Sequence, residues 1–460
     1  MNRIIFSALT LGLCSLALGA VLPARVTDAE EFESYYIDGY YIGGDNELEA
    51  FRTQGNGWTS TSSGSSGVGR PATVTWSVVA DGTQLPTGLG EPTSDNGLIA
   101  FLDGIHHGGS SPGGVDFTER TWWQLMNSAF ERWDALTGID ISYESSDDGI
   151  RLGTASGSLG VRGDYRIGGH AIDGQTSPTF LAYNFFPNNS DMVIDTDEIN
   201  RWGNAANNYR LFRNMMMHEI GHGFGLNHVE SFDVDPIKDK FQFGTFLMEP
   251  ILASTFDGPQ FDDILGAHRL YGDINEVGAG NETYLSATVL GSLQSGQTIS
   301  IGTDATDISV GANDIDFVSI DDNSDVDYFQ FSVAGPEIVG LTLTPLGPTY
   351  DEGAGGSGNG GTQQSFIASA KSDLTLSLYD NNGSSVLEFS DDIGLGLSEE
   401  IDNFQLSVAG NYFVRVGGLN NAAQFFQLDI TAVPEPTSLV LLALGSIGCA
   451  LIRRPIRNLR

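Results

Sequence analysis

At 460 residues with 40% apolar side chains, the chain is long enough for two domains with cores of their own. Its 59 acidic residues against 21 lysines and arginines give a net charge of −38, which excludes nucleic acid and anionic membrane surfaces as partners of the body and suits cations or plain solubility. The two cysteines, Cys14 and Cys449, lie in apolar terminal runs, so disulfides and thiol ligands are excluded from everything between them.

In chain order, Met1-Asn2-Arg3, the apolar run 4–18 and Gly19-Ala20 read as a secretory signal peptide over 1–20. Residues 21–70 are acidic and then Gly/Ser-rich, the composition of a short pro-segment or a flexible leader. Residues 73–79 alternate like a strand, with Val74, Trp76 and Val78 on one face. Helical spacing over 117–136 stops before Gly138, and it directs Trp122 and Trp123 to a core. A second helix is expected over 211–224, packed through Met215, Met216 and Met217.

That second helix carries the chemistry. His218-Glu219-Ile220-Gly221-His222-Gly223-Phe224-Gly225-Leu226-Asn227-His228 reads HExxHxxGxxH. One helical turn separates His218 from His222, so both imidazoles leave the same face. Gly225 lets the chain leave the helix sharply and bring His228 back as a third ligand. Three imidazoles leave one zinc position open for water, and Glu219 is placed to take a proton from that water.

The motif resembles the metzincin metallopeptidases, and its surroundings resemble their matrixin branch. Phe246-Leu247-Met248-Glu249-Pro250 is similar to the family's Met-turn, which implies that Met248 lies beneath the metal. The run 261–272 is similar to the last helix of matrixin catalytic domains, and Ala129-Phe130-Glu131-Arg132-Trp133 with 139–143 to the first helix and next strand. The resemblance spans residues 71–273 and implies a twisted mixed sheet with three main helices. It also implies a calcium site at Asp173, Asp195 and Glu198, oxygen ligands suited to a hard cation. Tyr183 and Val193 stand where matrixins carry histidines for a structural zinc, so none is expected here and His170 is read as a loop histidine. The spacer from His228 to Met248 is longer than in matrixins and should border the cleft.

Residues 272–280 read as a linker. Beyond it, short alternating runs at 297–301, 327–333, 339–343, 374–378, 404–408, 412–416 and 425–430 predict an all-β sandwich over 281–432. Asp325-Val326-Asp327-Tyr328-Phe329-Gln330-Phe331 and Gly410-Asn411-Tyr412-Phe413-Val414-Arg415-Val416 resemble the pre-peptidase C-terminal domain. Val433-Pro434-Glu435-Pro436, the apolar run 438–452 and Arg453-Arg454 resemble a PEP-CTERM sorting signal over 433–460. That resemblance implies a sorting protease as partner and membrane contact through this segment alone. A simple C-terminal anchor is the competing reading, although 15 apolar residues are short for a span of about 20.

The expected architecture is therefore α+β, a metzincin-type catalytic domain followed by a β-sandwich. The expected function is an exported zinc endopeptidase acting on protein or peptide substrates. The alternative is an adhesion protein of the cell surface or biofilm matrix, with exopolysaccharide as its partner, on a peptidase fold that no longer cuts.

Overall fold

A computed structural model describes residues 51–107, 114, 116–174, 180–231, 244–353, 364–391 and 394–434. The signal peptide, residues 21–50 of the leader and the apolar run 438–452 lie outside these residues. Among the described residues no helix is long and apolar enough to cross a membrane.

The architecture is α+β. A short hairpin, β1 (Ser60–Thr61) and β2 (Gly64–Ser65), precedes β3 (Ala72–Val78). The first half continues through α1 (Leu98–His106), α2 (Thr121–Asp134), β4 (Ile139–Tyr143), β5 (Tyr165–His170), β6 (Ala182–Asn184), β7 (Met192–Asp195), α3 (Ile199–Trp202), α4 (Arg210–Phe224), β8 (Glu230–Ser231) and α5 (Phe261–Tyr271). Five strands form a mixed sheet in the order β4-β3-β5-β7-β6, parallel except for β6. On one face Val74, Trp76, Tyr165 and Ile167 meet Phe130 and Trp133 of α2 and Ile220 and Phe224 of α4 in a single core. The polar face of β3 is also covered. The Asp164 carboxylate accepts from Thr75 N (3.0 Å) and Thr75 Oγ1 (2.9 Å), and Ser77 donates to Asp147 (3.0 Å).

Three expectations need correction. The first helix of the expected 117–136 run begins only at Thr121, because the Asp116 carboxylate accepts from Thr118 N (3.0 Å) and Oγ1 (2.7 Å) and holds 116–120 in a turn. Residues 51–70, expected as part of a leader, are packed. Phe51 and Trp58 are buried in the core, Asn227 N donates to Arg52 O (2.7 Å), and Trp58 N donates to the Tyr271 hydroxyl (2.9 Å). The residues expected as a linker, 272–280, form a buried joint. They include a 3-10 turn (Ile274–Glu276) capped by Asp273, whose carboxylate accepts from Asn275 N (2.7 Å) and from Ser319 N across the joint (3.0 Å).

The second half contains β9 (Thr288–Ser292), β10 (Thr298–Ile301), β11 (Ser319–Ile320), β12 (Val326–Val333), β13 (Glu337–Pro345), β14 (Thr349–Gly353), β15 (Gln364–Ile367), β16 (Leu374–Tyr379), β17 (Val386–Ser390), β18 (Glu399–Leu406), β19 (Gly410–Gly418) and β20 (Gln424–Val433). One sheet runs β10-β20-β13-β18, with β11 also on β20, and the other runs β17-β16-β19-β12-β9. Phe329, Phe331, Leu376, Val414 and Val416 of the second sheet share a core with Val339, Leu341, Leu343, Leu428 and Ile430 of the first, which makes a sandwich. The run expected at 404–408 ends two residues early, at Leu406. A third small sheet, β15-β14-β8, joins the two halves of the chain. The halves also share apolar packing, since Phe425 lies 5.2 Å from Phe261 and 5.1 Å from His268 (ring centroids).

The joint is crowded with acids. Asp273, Glu276, Asp321 and Asp327 are all nearly or fully buried. Burial first, and then the neighbouring Asp325, Asp273, Asp327 and Asp321 charges, push the Glu276 carboxyl up to about 12. Burial and Asp325 push Asp321 up to about 8.

Candidate metal centre

Helix α4 places His218, Glu219 and His222 in the core, each no more than 2% exposed. The helix ends because Gly225 adopts φ 103°, and its N–H donates to His222 O (2.9 Å) while Leu226 N donates to Gly221 O (2.9 Å). The reversal returns His228 to the other two imidazoles. His228 Nε2 lies 3.1 Å from His218 Nε2 and 3.1 Å from His222 Nε2.

The outer nitrogens fix the tautomers. His218 Nδ1–H donates to Leu247 O (2.6 Å), and His222 Nδ1–H donates to Leu226 O (2.8 Å). A carbonyl only accepts, so in both rings Nε2 presents a lone pair to the common point. Burial, reinforced by the neighbouring imidazoles, holds His218 and His228 well below the usual histidine range, so both are neutral at pH 7. Converging lone pairs repel unless a cation lies between them. Four-coordinate zinc, with bonds of about 2.05 Å, sets nitrogens about 3.3 Å apart, close to the observed spacing. Among the described residues this is the group of three or more metal-ligating side chains that could hold an ion.

Met248 lies directly under α4, and a Cβ at Gly221 would overlap its Sδ. The turn around it is held by two carboxylates. Glu249 accepts from the N–H groups of Gly244, Thr245 (3.1 Å) and Phe246 (3.3 Å). Asp263 accepts from Leu247 N (2.8 Å) and Met248 N (3.0 Å), and also from Gln260 N (2.7 Å) at the start of α5. Sequence reasoning missed Asp263 and the Leu247 carbonyl. The one available signal was Gln260 followed three residues later by an acid, a helix-start pattern. It also missed Tyr165, whose hydroxyl donates to Asn184 and lies 3.1 Å from Glu219 O.

The three acids expected to bind calcium do not converge into such a group. Asp195, at the end of β7, accepts from Ile172 N (3.1 Å) and Asp197 N (2.8 Å). Burial pushes it up to about 6, and the Asp197 and Glu198 charges add to this. Asp173 accepts from Phe180 N (3.1 Å), and Glu198 pairs with Arg201. Residues 175–179 and most of the long spacer, 232–243, lie outside the described residues. His170 closes strand β5 rather than sitting in a loop. It lies 2.5 Å from Ser94 Oγ and 3.2 Å from Glu91 Oε1, and the Tyr183 hydroxyl donates to that same Glu91 oxygen (2.8 Å). Tyr183 and Val193 pack with Val79, Leu85 and Leu152 in a small core of their own.

Comparison with known proteins agrees with this geometry. Residues 112–239 match the matrixin family, and residues 432–455 match the PEP-CTERM protein-sorting motif. A comparison with curated proteins gave no match. Among the solved structures that match is the pre-peptidase C-terminal domain of a collagenase from Bacillus anthracis, 15% identical over 32% of this chain and 94% of that one, with a TM-score of 0.17. The sandwich described above rests on this chain's own strand pairing. The sorting motif indicates export through a sorting system, and the matrixin segment implies a zinc metallopeptidase. Residues 112–239, which include His218, His222 and His228, thus match the matrixin family, and a β-rich region and a PEP-CTERM sorting motif follow.

Proposed function

We propose that this protein is an exported endopeptidase in which His218, His222 and His228 hold zinc and Glu219 transfers the proton. The convergence of three imidazole Nε2 atoms, two of them on rings whose outer nitrogens are tied to backbone carbonyls, is the observation that carries this reading. Zinc, when bound there, acidifies a water and polarises the scissile carbonyl. Glu219 follows His218 on the same helix and is fully buried beside the site, where a carboxylate can take up and return a proton. It takes a proton from the attacking water and returns it to the leaving amine. Hydrogen bonds from their outer nitrogens to Leu247 O and Leu226 O orient His218 and His222 towards the common point.

A buried glutamate beside the histidines favours catalysis over a purely adhesive role, which has no use for a base there. Glu219→Gln should keep stoichiometric zinc and lower kcat on a casein-derived peptide by about 10²–10⁴-fold. Full turnover by that variant would refute the assignment.

A further inference from the structure

We propose that the C-terminal β-domain is part of the active-site frame, with Tyr350 of the β14–β15 hairpin as a positioning residue for the turn that orients His218. This proposal rests on the zinc-peptidase reading. Tyr350 touches no histidine. It acts through a short series of buried contacts.

The series starts at the ring. His218 Nδ1–H donates to Leu247 O (2.6 Å), so the place of that carbonyl sets the direction of the His218 lone pair. Leu247 and Met248 are in turn fixed by the Asp263 carboxylate, in the first turn of α5. Tyr350 lies against that same turn. Its hydroxyl donates to Asp262 Oδ1 (2.6 Å), and its ring is 5.2 Å from Phe246 and 6.2 Å from Phe261. One side chain of the β-domain thus braces the residue before Leu247 and the two residues before Asp263.

The same strand also reaches the third histidine. Glu352 of β14 pairs with Ser231 of β8, and Gly353 with Glu230, two and three residues beyond His228. Val229 N donates to Met248 O (3.0 Å), so the segment after His228 and the turn beneath the site are tied to each other. Strand β14 therefore contacts both pieces of chain whose separation sets the metal geometry. Phe425, packed on Phe261 and His268, also joins the two halves along α5, so joining them does not require Tyr350. Its hydroxyl bonds Asp262 and its ring packs on Phe246, while the ring also meets Phe366 of β15 (5.2 Å).

The test compares Tyr350→Phe and Tyr350→Ala with Phe331→Ala, which opens the sandwich core far from the site. Each is measured in the full chain for zinc loss to a chelator, kcat and KM on a peptide, and amide exchange at Leu247 and Met248. Tyr350→Ala should lose zinc about tenfold faster, within the range seen when a ligand's supporting partner is removed, with kcat reduced and KM unchanged. Tyr350→Phe should show a smaller change in the same direction, and it carries the test if Tyr350→Ala fails to fold. Both should speed exchange at Leu247 and Met248. Phe331→Ala should lower the melting temperature and leave the other readouts unchanged. Zinc loss at the unsubstituted rate in Tyr350→Ala, or equal acceleration by Phe331→Ala, would overturn the proposal. A chain that binds no zinc would sink the peptidase reading, and amide exchange would still decide the role of Tyr350.

Discussion

The histidine site and the acidic joint are both buried, and burial drives both towards the uncharged state with opposite chemical results. At the histidine site, burial lowers the pKa values of His218 and His228, and the neutral imidazole is the form that binds a metal. At the joint, burial and mutual repulsion raise Glu276 to about 12, Asp321 to about 8 and Asp325 to about 7, and the neutral acid is a poor ligand. His218 and His222 also have their outer nitrogens satisfied by carbonyls, whereas the fully buried Asp327 faces the charges of Asp325, Asp273 and Asp321. The same desolvation thus favours the metal-binding form of the imidazoles and raises the carboxyls of the joint.

The sharpest way to break this contrast is at the joint. Asp321 has a raised folded pKa of about 8 against about 3.9 unfolded, so its contribution is fully present below pH 4 and is lost as pH rises through 8. Thermal stability should fall between pH 5 and pH 8, and Asp321→Asn should recover up to about 5 kcal/mol at pH 8 while changing little at pH 4. An identical pH profile for the variant would show that the carboxyl is not held neutral. At the histidine end the expected effect is smaller. Gly221→Ala places a methyl where Met248 Sδ lies and 3.4 Å from Trp133, which should cost about 1–3 kcal/mol in a thermal melt and weaken zinc retention. A variant as stable as the parent would mean that Met248 can move without consequence.

What was legible in the sequence was local. The HExxHxxGxxH spacing encodes its own geometry, since a helical turn and one left-handed glycine suffice to bring the imidazoles together. The sandwich could be read from period-two runs such as 327–333, whose alternating burial the structure shows within β12. What was missed depends on distant partners. Asp263 looks like any acid early in a helix until the Leu247 and Met248 amides arrive from 16 and 15 residues away. Residues 51–70 read as a leader from their glycines and serines, yet Phe51 and Trp58 anchor them against α4 and α5. Helix α1 went unnoticed because it starts after Gly97 with no side-chain cap and contains Gly104. Its Asp103 is fixed by Arg120 (2.6 Å) and Trp122 (2.8 Å), contacts that exist only in the folded chain.

The most direct test is metal analysis of the purified full chain beside His228→Ala, the one ligand contributed from outside the helix. The account predicts one zinc per chain in the parent and loss of that zinc, with peptide cleavage, in the variant. Stoichiometric zinc retained without His228, or a folded parent that takes up none, would contradict it.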